Sequence, residues 1–492
     1  MIVCVRDQRV HPELFRGDLG RPSGQLEDFL ADQIPNAPEA PRARVRDALA
    51  VGLARTTRRL SRLSRLGAGS SLPGVVAEAL SPGFTARRAA AVPEGVVVVS
   101  GTNGKTTTAA MIGAIFSRAG IPTFGNDTGA NLRGGIAAAL VEAPSGARKA
   151  VLEVDEGALP SMVSNLRPRL LVLTNVFRDQ LDRFGETERV VALIRDACDL
   201  LPTGAMIIAN GDDPLLRAAL TGRHYISFGV RSEPEDPARR DPASAEPEVC
   251  PRCGGGLSYE VRMVGHLGRY RCQACSWGWM PADVEIQVVQ RNGLSSIELQ
   301  TEGNAFTLPV GGVYNAYNAA AALAAGRFSG IAPRTGVAAL RAFQPRFGRL
   351  EQLSVDGRKV WLALMKNPGS ADALIQEIAG DPMLGAVVIA LNDAAADGRD
   401  VSWIWDVNLE ELTAAGVRCI PSGTRAADVA VRLKYTGSRV ERAYRRPLDA
   451  IRAAIVLSDD GHPPVVLATY TAMLEVRAAL SGRVARLTDI PA

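Results

Sequence analysis

At 492 residues, with 47% hydrophobic and 22% charged side chains, the chain is long enough for two or three domains with full cores, which excludes a disordered or fibrous class. A formal net charge of +4 gives no broad basic field for nucleic acid, and no apolar run reaches the length of a membrane span. The N-terminus lacks a signal-peptide pattern, so the expected location is the cytoplasm; seven cysteines, four of them in paired C-x-x-C form, fit a metal site in a reducing compartment better than a disulfide framework.

Residues 1–44 carry Pro, Arg and Asp without a lasting period, and either little fixed structure or a mis-assigned start accounts for them. Residues 45–66 read as a helix with arginines on one side and Leu, Ala and Val on the other. Such a helix packs on its own domain or lies on an anionic membrane, and the first is the commoner use.

Four valines, Val96 to Val99, read as a buried strand of a parallel sheet. The strand breaks at Ser100-Gly101-Thr102-Asn103-Gly104, and Lys105-Thr106-Thr107 opens an amphipathic helix. Strand, glycine loop, Lys-Thr and helix are the parts of a phosphate-binding loop, here spaced G-x-x-G-K-T. Lys105 would reach the β- and γ-phosphates and the Thr106 hydroxyl would sit on Mg²⁺. The alternative is a plain glycine turn with a solvated lysine. Against it, the 56 basic residues include only five lysines, so a lysine at this position is no filler.

A polar loop follows at Gly125–Asn131, and the next strand, KAVLEVDEGAL, ends in Glu153, Asp155 and Glu156. A carboxylate at the carboxyl end of a strand beside the phosphate-loop strand suits a Mg²⁺ ligand, and Glu153 is the choice because the chain leaves the sheet after it. A third strand, LRPRLLVLTNV, runs into FRDQLDRF, and a fourth, AMIIAN, ends at Asn210-Gly211-Asp212-Asp213. Strands alternating with helices predict a doubly wound parallel sheet with ligands at the carboxyl ends of its strands.

Past a Pro/Glu/Asp/Arg linker at 231–248, Cys250, Cys253, Cys272 and Cys275 form C-x2-C-x18-C-x2-C, the spacing of a four-thiolate zinc ribbon at about 248–280. Four protein ligands leave no open position, so the zinc is read as structural. Two strands then return the chain to its domain, and Asn315 and Asn318 begin a very Ala-rich helix. From residue 352 the α/β alternation resumes in a second, C-terminal Rossmann-like domain. Its polar signals lie past strand ends: Lys366-Asn367-Pro368-Gly369-Ser370, and Asn392-Asp393 followed by Asp397-Gly398-Arg399-Asp400 through Asp406.

Several of these segments resemble one family. SGTNGKTTT, the T-N of LTNVFRDQLD (with Gln180 where the family usually has histidine), the G-x-x-N-x-x-N around Asn315 and the G-R-x-E-like Phe347–Glu351 are similar to the Mur ligases, which join amino acids or amines to peptidoglycan precursors through acyl phosphates. The resemblance implies ATP bound on Gly101, Thr102, Asn103, Gly104, Lys105, Thr106 and Thr107, with Asn315 against the nucleotide and Arg349 reaching a γ-phosphate. It also makes residues 45–351 one Mur-ligase-like domain carrying the ribbon, and 352–492 a separate one.

KNPG, DGRDVSWIWD and ATYTAML, with the inserted ribbon, resemble the MurT-type branch of that family. That branch implies ATP-dependent amidation of the D-isoglutamate α-carboxylate of lipid II, with ammonia from a GatD-type glutaminase in a heterodimer. No cysteine outside the ribbon sits in a nucleophile elbow, consistent with a separate glutaminase. Contact with the inner face of the membrane follows from such a substrate, and nucleic acid is not an expected partner. Lys105 and Glu153 are then the catalytic groups at the phosphates, and Asp397 or Asp400 the group that orients or deprotonates ammonia. The other readings are a Mur- or folylpolyglutamate-type ligase adding a whole amino acid, which the carboxylate-rich C-terminal domain and the ribbon argue against, and a zinc-ribbon ATPase on nucleic acid, for which no basic face is found.

Overall fold

In the computed structural model, which describes residues 41–64, 71–126, 130–178, 187–232, 249–344, 350–440 and 442–480, the valine run forms strand β1, Val96–Ser100, buried along its length. Its side chains alternate between two cores. Val97 and Val99 pack with Met111, Ile112 and Ile115 of the helix Lys105–Arg118. Val96 and Val98 pack with Ile136, Leu140, Leu159 and Met162 of the helices Arg133–Val141 and Leu159–Leu166. A strand apolar on both faces therefore sits mid-sheet with helices above and below, as a period-2 strand without polar positions requires.

The following strands are β2 Thr123–Phe124, β3 Lys149–Glu153, β4 Leu170–Leu173, β5 Met206–Asn210, β6 Ile226–Arg231, the hairpin β7 Leu257–Val264 and β8 Leu267–Cys272, then β9 Val284–Asn292, β10 Ser296–Thr301 and β11 Asn304–Leu308. One nine-stranded sheet has the order β11-β10-β9-β6-β5-β4-β1-β3-β2. It is parallel from β2 to β9 and antiparallel across β9, β10 and β11. β11 has no counterpart in the sequence reading. β1 lies between β3 and β4, so the order reverses there and a crevice opens at the carboxyl ends of the three strands.

The Ala-rich helix is Val313–Phe328, buried nearly throughout. Its small side chains let it approach the helix Lys105–Arg118 closely; a Cβ on Gly326 would stand 3.0 Å from Ile115 Cγ2. A second sheet holds β12 Glu351–Val355, β13 Arg358–Leu364, β14 Val387–Ala390, β15 Cys419–Ser422 and β16 Val465–Ala468. Its order is β12-β13-β16-β14-β15, parallel except for β12. One of its faces joins the first sheet's core through Ala363, Val387 and Ile389, with Ile375 of the helix Pro368–Ala379 in the same core. The other is covered by the helices Pro447–Leu457 and Tyr470–Leu480.

The chain divides into the units Met1–Arg46 and Asp47–Ala492, and both sheets with their covering helices lie within the second. The basic helix is Pro41–Ser64, with Ala50 and Ala54 buried and Leu49 and Leu53 exposed. Among the described residues no helix is long and apolar enough to cross a membrane.

Candidate active site and metal centre

The phosphate loop leaves β1 with Gly101 at φ +121°, where a Cβ would lie 2.4 Å from Thr174 Oγ1, and closes with Gly104 at φ +83°, where a Cβ would lie 2.3 Å from Asn318 Oδ1. Both positions need glycine, for backbone conformation and for space. The segment after β4 braces the loop. Thr174 Oγ1 donates to Asn103 O at 2.7 Å, Asn175 Oδ1 accepts from Asn103 N at 2.9 Å, and Thr102 Oγ1 accepts from Phe177 N at 3.0 Å. The T-N motif thus shapes the loop's backbone, a role that the sequence alone did not supply.

Lys105 is buried. Its Nζ donates to Gly101 O at 2.5 Å and Thr102 O at 3.2 Å and pairs with Glu156 Oε2 at 3.0 Å. Burial works against its charge, but Glu156, Glu153 and Asp155 outweigh that and raise its pKa. Thr106 Oγ1 donates to Glu153 Oε2 at 2.7 Å, and Asn131 Nδ2 donates to Glu153 Oε1 at 3.0 Å. Neighbouring oxygens on an octahedral Mg²⁺ stand about 2.9 Å apart. The Thr106–Glu153 pair therefore fits that ion, and the amide-rich loop with its lysine fits phosphates.

Asn315, also buried, donates to Gly311 O at 2.7 Å and accepts from Asn318 Nδ2 at 3.0 Å; Asn318 Oδ1 accepts from Thr108 Oγ1 at 3.1 Å. This ladder ties the Ala-rich helix to the phosphate-loop helix and borders a cleft. The cleft is lined on one side by Gly104, Thr107, Phe177, Tyr314, Asn315 and Tyr317, and on the other by Leu364 at the end of β13 and Gly369, Ala373 and Leu374 beyond it. Arg349 lies outside the described residues.

The segment K-N-P-G-S, marked in the sequence as a polar strand end but not placed at the phosphates, meets the phosphate loop. Lys366 Nζ donates to Thr102 O at 2.9 Å and Asn367 Nδ2 to Asn103 Oδ1 at 3.2 Å. Asn367 is also the N-cap of the helix Pro368–Ala379, in a capping box with Ser370. The scarcity of lysine was the available signal.

The two candidate aspartates are held by other groups. Asp397 is buried and accepts from Thr471 N at 2.7 Å and from the Thr471 hydroxyl, at the start of the helix Tyr470–Leu480. Burial raises its pKa, against the pull of those bonds. Asp400 is exposed and accepts from Ser402 N at 2.8 Å, which lowers its pKa. Arg178, beyond β4, pairs with Asp406 at 3.4 Å and ties the first sheet's strand ends to the turn after Asp400.

In the ribbon, the sulfurs of Cys250, Cys253, Cys272 and Cys275 lie within 4.8 Å of one another, with Cys253–Cys272 at 3.5 Å and Cys250–Cys275 at 4.0 Å. A zinc ion about 2.3 Å from each sulfur would space them about 3.8 Å apart, so the cluster fits it. Burial acts to raise the Cys272 thiol, but the amides of Ala274 and Cys275 donate to its sulfur and bring it to about 7.

The family model of the Mur ligase middle domain matches residues 99–267, and that of the MurT ligase C-terminal domain matches residues 364–473. The MurT subunit of the glutamine-hydrolysing lipid II isoglutaminyl synthase of Streptococcus pneumoniae is 36% identical, over 86% of this chain and 94% of its own length. Its namesake from Staphylococcus aureus is 30% identical, over 86% and 95%. Among solved structures, a pseudomurein peptide ligase type C from Methanothermus fervidus superposes with a TM-score of 0.64 at 21% identity, over 80% of this chain and 79% of that one, which is a likeness of fold. Together with the sheet order, the phosphate loop and the four-cysteine cluster, these matches show that the chain belongs to the MurT branch of the Mur ligases, ATP-dependent ligases of peptidoglycan synthesis.

Proposed function

We propose that the chain amidates the α-carboxylate of the D-isoglutamate residue of lipid II, using ammonia released by a glutaminase subunit of the GatD type. The observation that carries this reading is the phosphate loop with Lys105, Thr106 and Glu153 on one sheet, met by Lys366 and Asn367 from the other. The names of the relatives supply the substrate and the need for a partner subunit.

ATP with Mg²⁺, held by the loop amides, Thr106 and Glu153, supplies a transferable phosphoryl group. Lys105 and Lys366 offset negative charge as a substrate carboxylate oxygen takes up the γ-phosphoryl group to give an acyl phosphate, while the bond from the γ-phosphorus to its bridging oxygen breaks and ADP leaves. Asn315 and the aromatic wall of the cleft position the nucleoside, with Arg349 a further candidate for the γ-phosphate. Ammonia attacks the acyl carbon, the C–O bond to phosphate breaks, and the proton lost from nitrogen passes to a carboxylate. Asp400, ionised and exposed, and Asp397, whose raised pKa suits proton uptake, are the two candidates. The exposed Leu49 and Leu53 on the arginine-rich helix support contact with an anionic membrane surface, where a lipid-linked substrate resides.

The test is reconstitution with lipid II, Mg·ATP and either the glutaminase with glutamine or an ammonium salt. Mass spectrometry should find OH exchanged for NH₂ on the stem peptide, dependent on this chain. Incorporation of a whole amino acid in its place would overturn the reading.

A further inference from the structure

The ribbon's two ends face different tasks. The cysteines cluster at one end of the β7–β8 hairpin; its turn, Val264-Gly265-His266-Leu267, lies at the other, roughly 20 Å away along strands of this length. Val264 and Leu267 line the cleft beside the phosphate loop. His266 is wholly buried, its ring centroid 4.5 Å from that of Phe177 and its Nε2 3.5 Å from Asp213 Oδ1; neither ring nitrogen has a hydrogen-bond partner among the described residues.

Phe177 is gripped from two sides. A Cβ on Gly265 of the ribbon turn would come within 2.6 Å of its ring, and one on Gly369, three residues past Lys366, within 2.8 Å. Its backbone N–H and carbonyl are both bonded to the Thr102 hydroxyl in the phosphate loop. Asp213, beside His266, also accepts from Val176 N at 2.7 Å and caps the helix Pro214–Ala219. Neighbouring Asp212 accepts from Trp279 Nε1 of the ribbon at 2.6 Å and from the cleft residue Tyr317 at 2.8 Å. Ribbon, phosphate loop and second sheet therefore converge on one aromatic ring.

We infer that the ribbon is a working part of the nucleotide site: its turn forms a wall of the nucleoside pocket and fixes Phe177, so order imposed at the cysteine end sets the affinity for ATP. This rests on the reading of the cleft as the ATP pocket. Leu267 and Val264 are positioning residues here, acting through apolar contact and through Phe177. The cysteines, with the metal they fit, act through the hairpin between them.

The experiment measures Mg·ATP affinity by calorimetry, together with KM and kcat, for the wild type, Leu267→Ala, Leu267→Met, Cys253→Ser and Lys105→Ala. Hydrogen exchange of the wild type with and without ATP accompanies it. Leu267→Ala should weaken ATP binding about tenfold and raise KM far more than it lowers kcat, with Leu267→Met restoring most of the loss. Cys253→Ser should weaken ATP binding in the same direction, and ATP should slow exchange across residues 264–268 of the wild type. Unchanged ATP affinity in folded Leu267→Ala, or exchange at the turn indifferent to ATP, overturns the inference. If Leu267→Ala does not fold, the wild-type exchange result decides. If Lys105→Ala also binds ATP normally, the reading of the cleft has failed, not the ribbon inference alone.

Discussion

Lys105 and Lys366, from different sheets, donate to the same oxygen, the carbonyl of Thr102, at 3.2 and 2.9 Å. Two ammonium groups converging on one loop carbonyl repel each other, and the buried carboxylate of Glu156 offsets the charge of Lys105 at short range. A polyanion on the loop would relieve the repulsion further, so nucleotide binding should draw on both lysines. Lys366→Ala should lower kcat/KM for ATP by about 10- to 100-fold while leaving thermal stability near wild type. Steady-state kinetics beside a melting curve check this, and unaltered kinetics would remove Lys366 from the site.

Lys105→Ala should stop turnover, but it should not be silent for the fold. Glu156 is 2% exposed, and removing Lys105 takes an ion-pair partner from a buried carboxylate, at a cost of about 3–5 kcal/mol. The double variant Lys105→Ala/Glu156→Gln should recover most of that stability and none of the activity, as denaturant unfolding and ATP-dependent amidation would show together.

Asp397→Asn and Asp400→Asn should behave differently. Asp397 accepts two bonds from Thr471 in a buried setting, so its replacement should destabilise the helix Tyr470–Leu480 by about 1–3 kcal/mol. Asp400 is exposed and holds a local turn, so Asp400→Asn should keep wild-type stability. If Asp400 acts on ammonia, that variant binds ATP normally yet amidates about 10²–10⁴-fold more slowly. Near-normal amidation with ammonia limiting would leave Asp397 as the candidate.

The purified protein should carry about one zinc per chain. Cys253→Ser should lower both the zinc content and the melting temperature, because metal binding and folding of the ribbon are linked. Metal analysis and calorimetry on the same samples would test this.

Asp212 gives a pH dependence with a definite sign. Burial raises its pKa from 3.8 to about 6, against bonds from Val230, Trp279 and Tyr317. The folded state thus binds more protons than the unfolded one between about pH 4 and 6, so this group's contribution to stability falls as pH rises through that window and is level above it. Between pH 4 and 7 the wild type should lose up to about 3 kcal/mol relative to Asp212→Asn. The thiolates are common to both proteins and cancel in the difference measured by urea unfolding.

What the sequence made legible was local. Val96–Val99, the Gly-Lys-Thr turn and the paired cysteines each announce an element within a few residues, and all three lie where their patterns put them. Pro421 disguises β15, Cys419–Ser422, as a non-strand; as the edge strand of its sheet it tolerates the missing donor. The carboxylates Asp393, Asp397, Asp400 and Asp406 read as one acidic cluster, yet they serve Thr424, Thr471, Ser402 and Arg178 in turn. Apart from the local Asp400–Ser402 turn, those partners are set by packing between strand ends, which spacing along the chain does not encode. The meeting of Lys366 with Thr102, and of Gly265 with Phe177, is hidden for the same reason.

The ribbon also occupies the connection between β6 and β9, which lie side by side and run in the same direction, with Phe228 opposite Val284 and Arg231 opposite Gln287. A chain leaving β6 at Arg231 must travel back along the strand before it can enter β9. A tight turn in place of the ribbon would run β9 the opposite way, since parallel neighbours need a crossover of about a dozen residues or more. Joining Arg231 directly to Val284 therefore cannot keep this strand order. Any shortened version, or any transplant of this sheet into another protein, must bring a return path of its own.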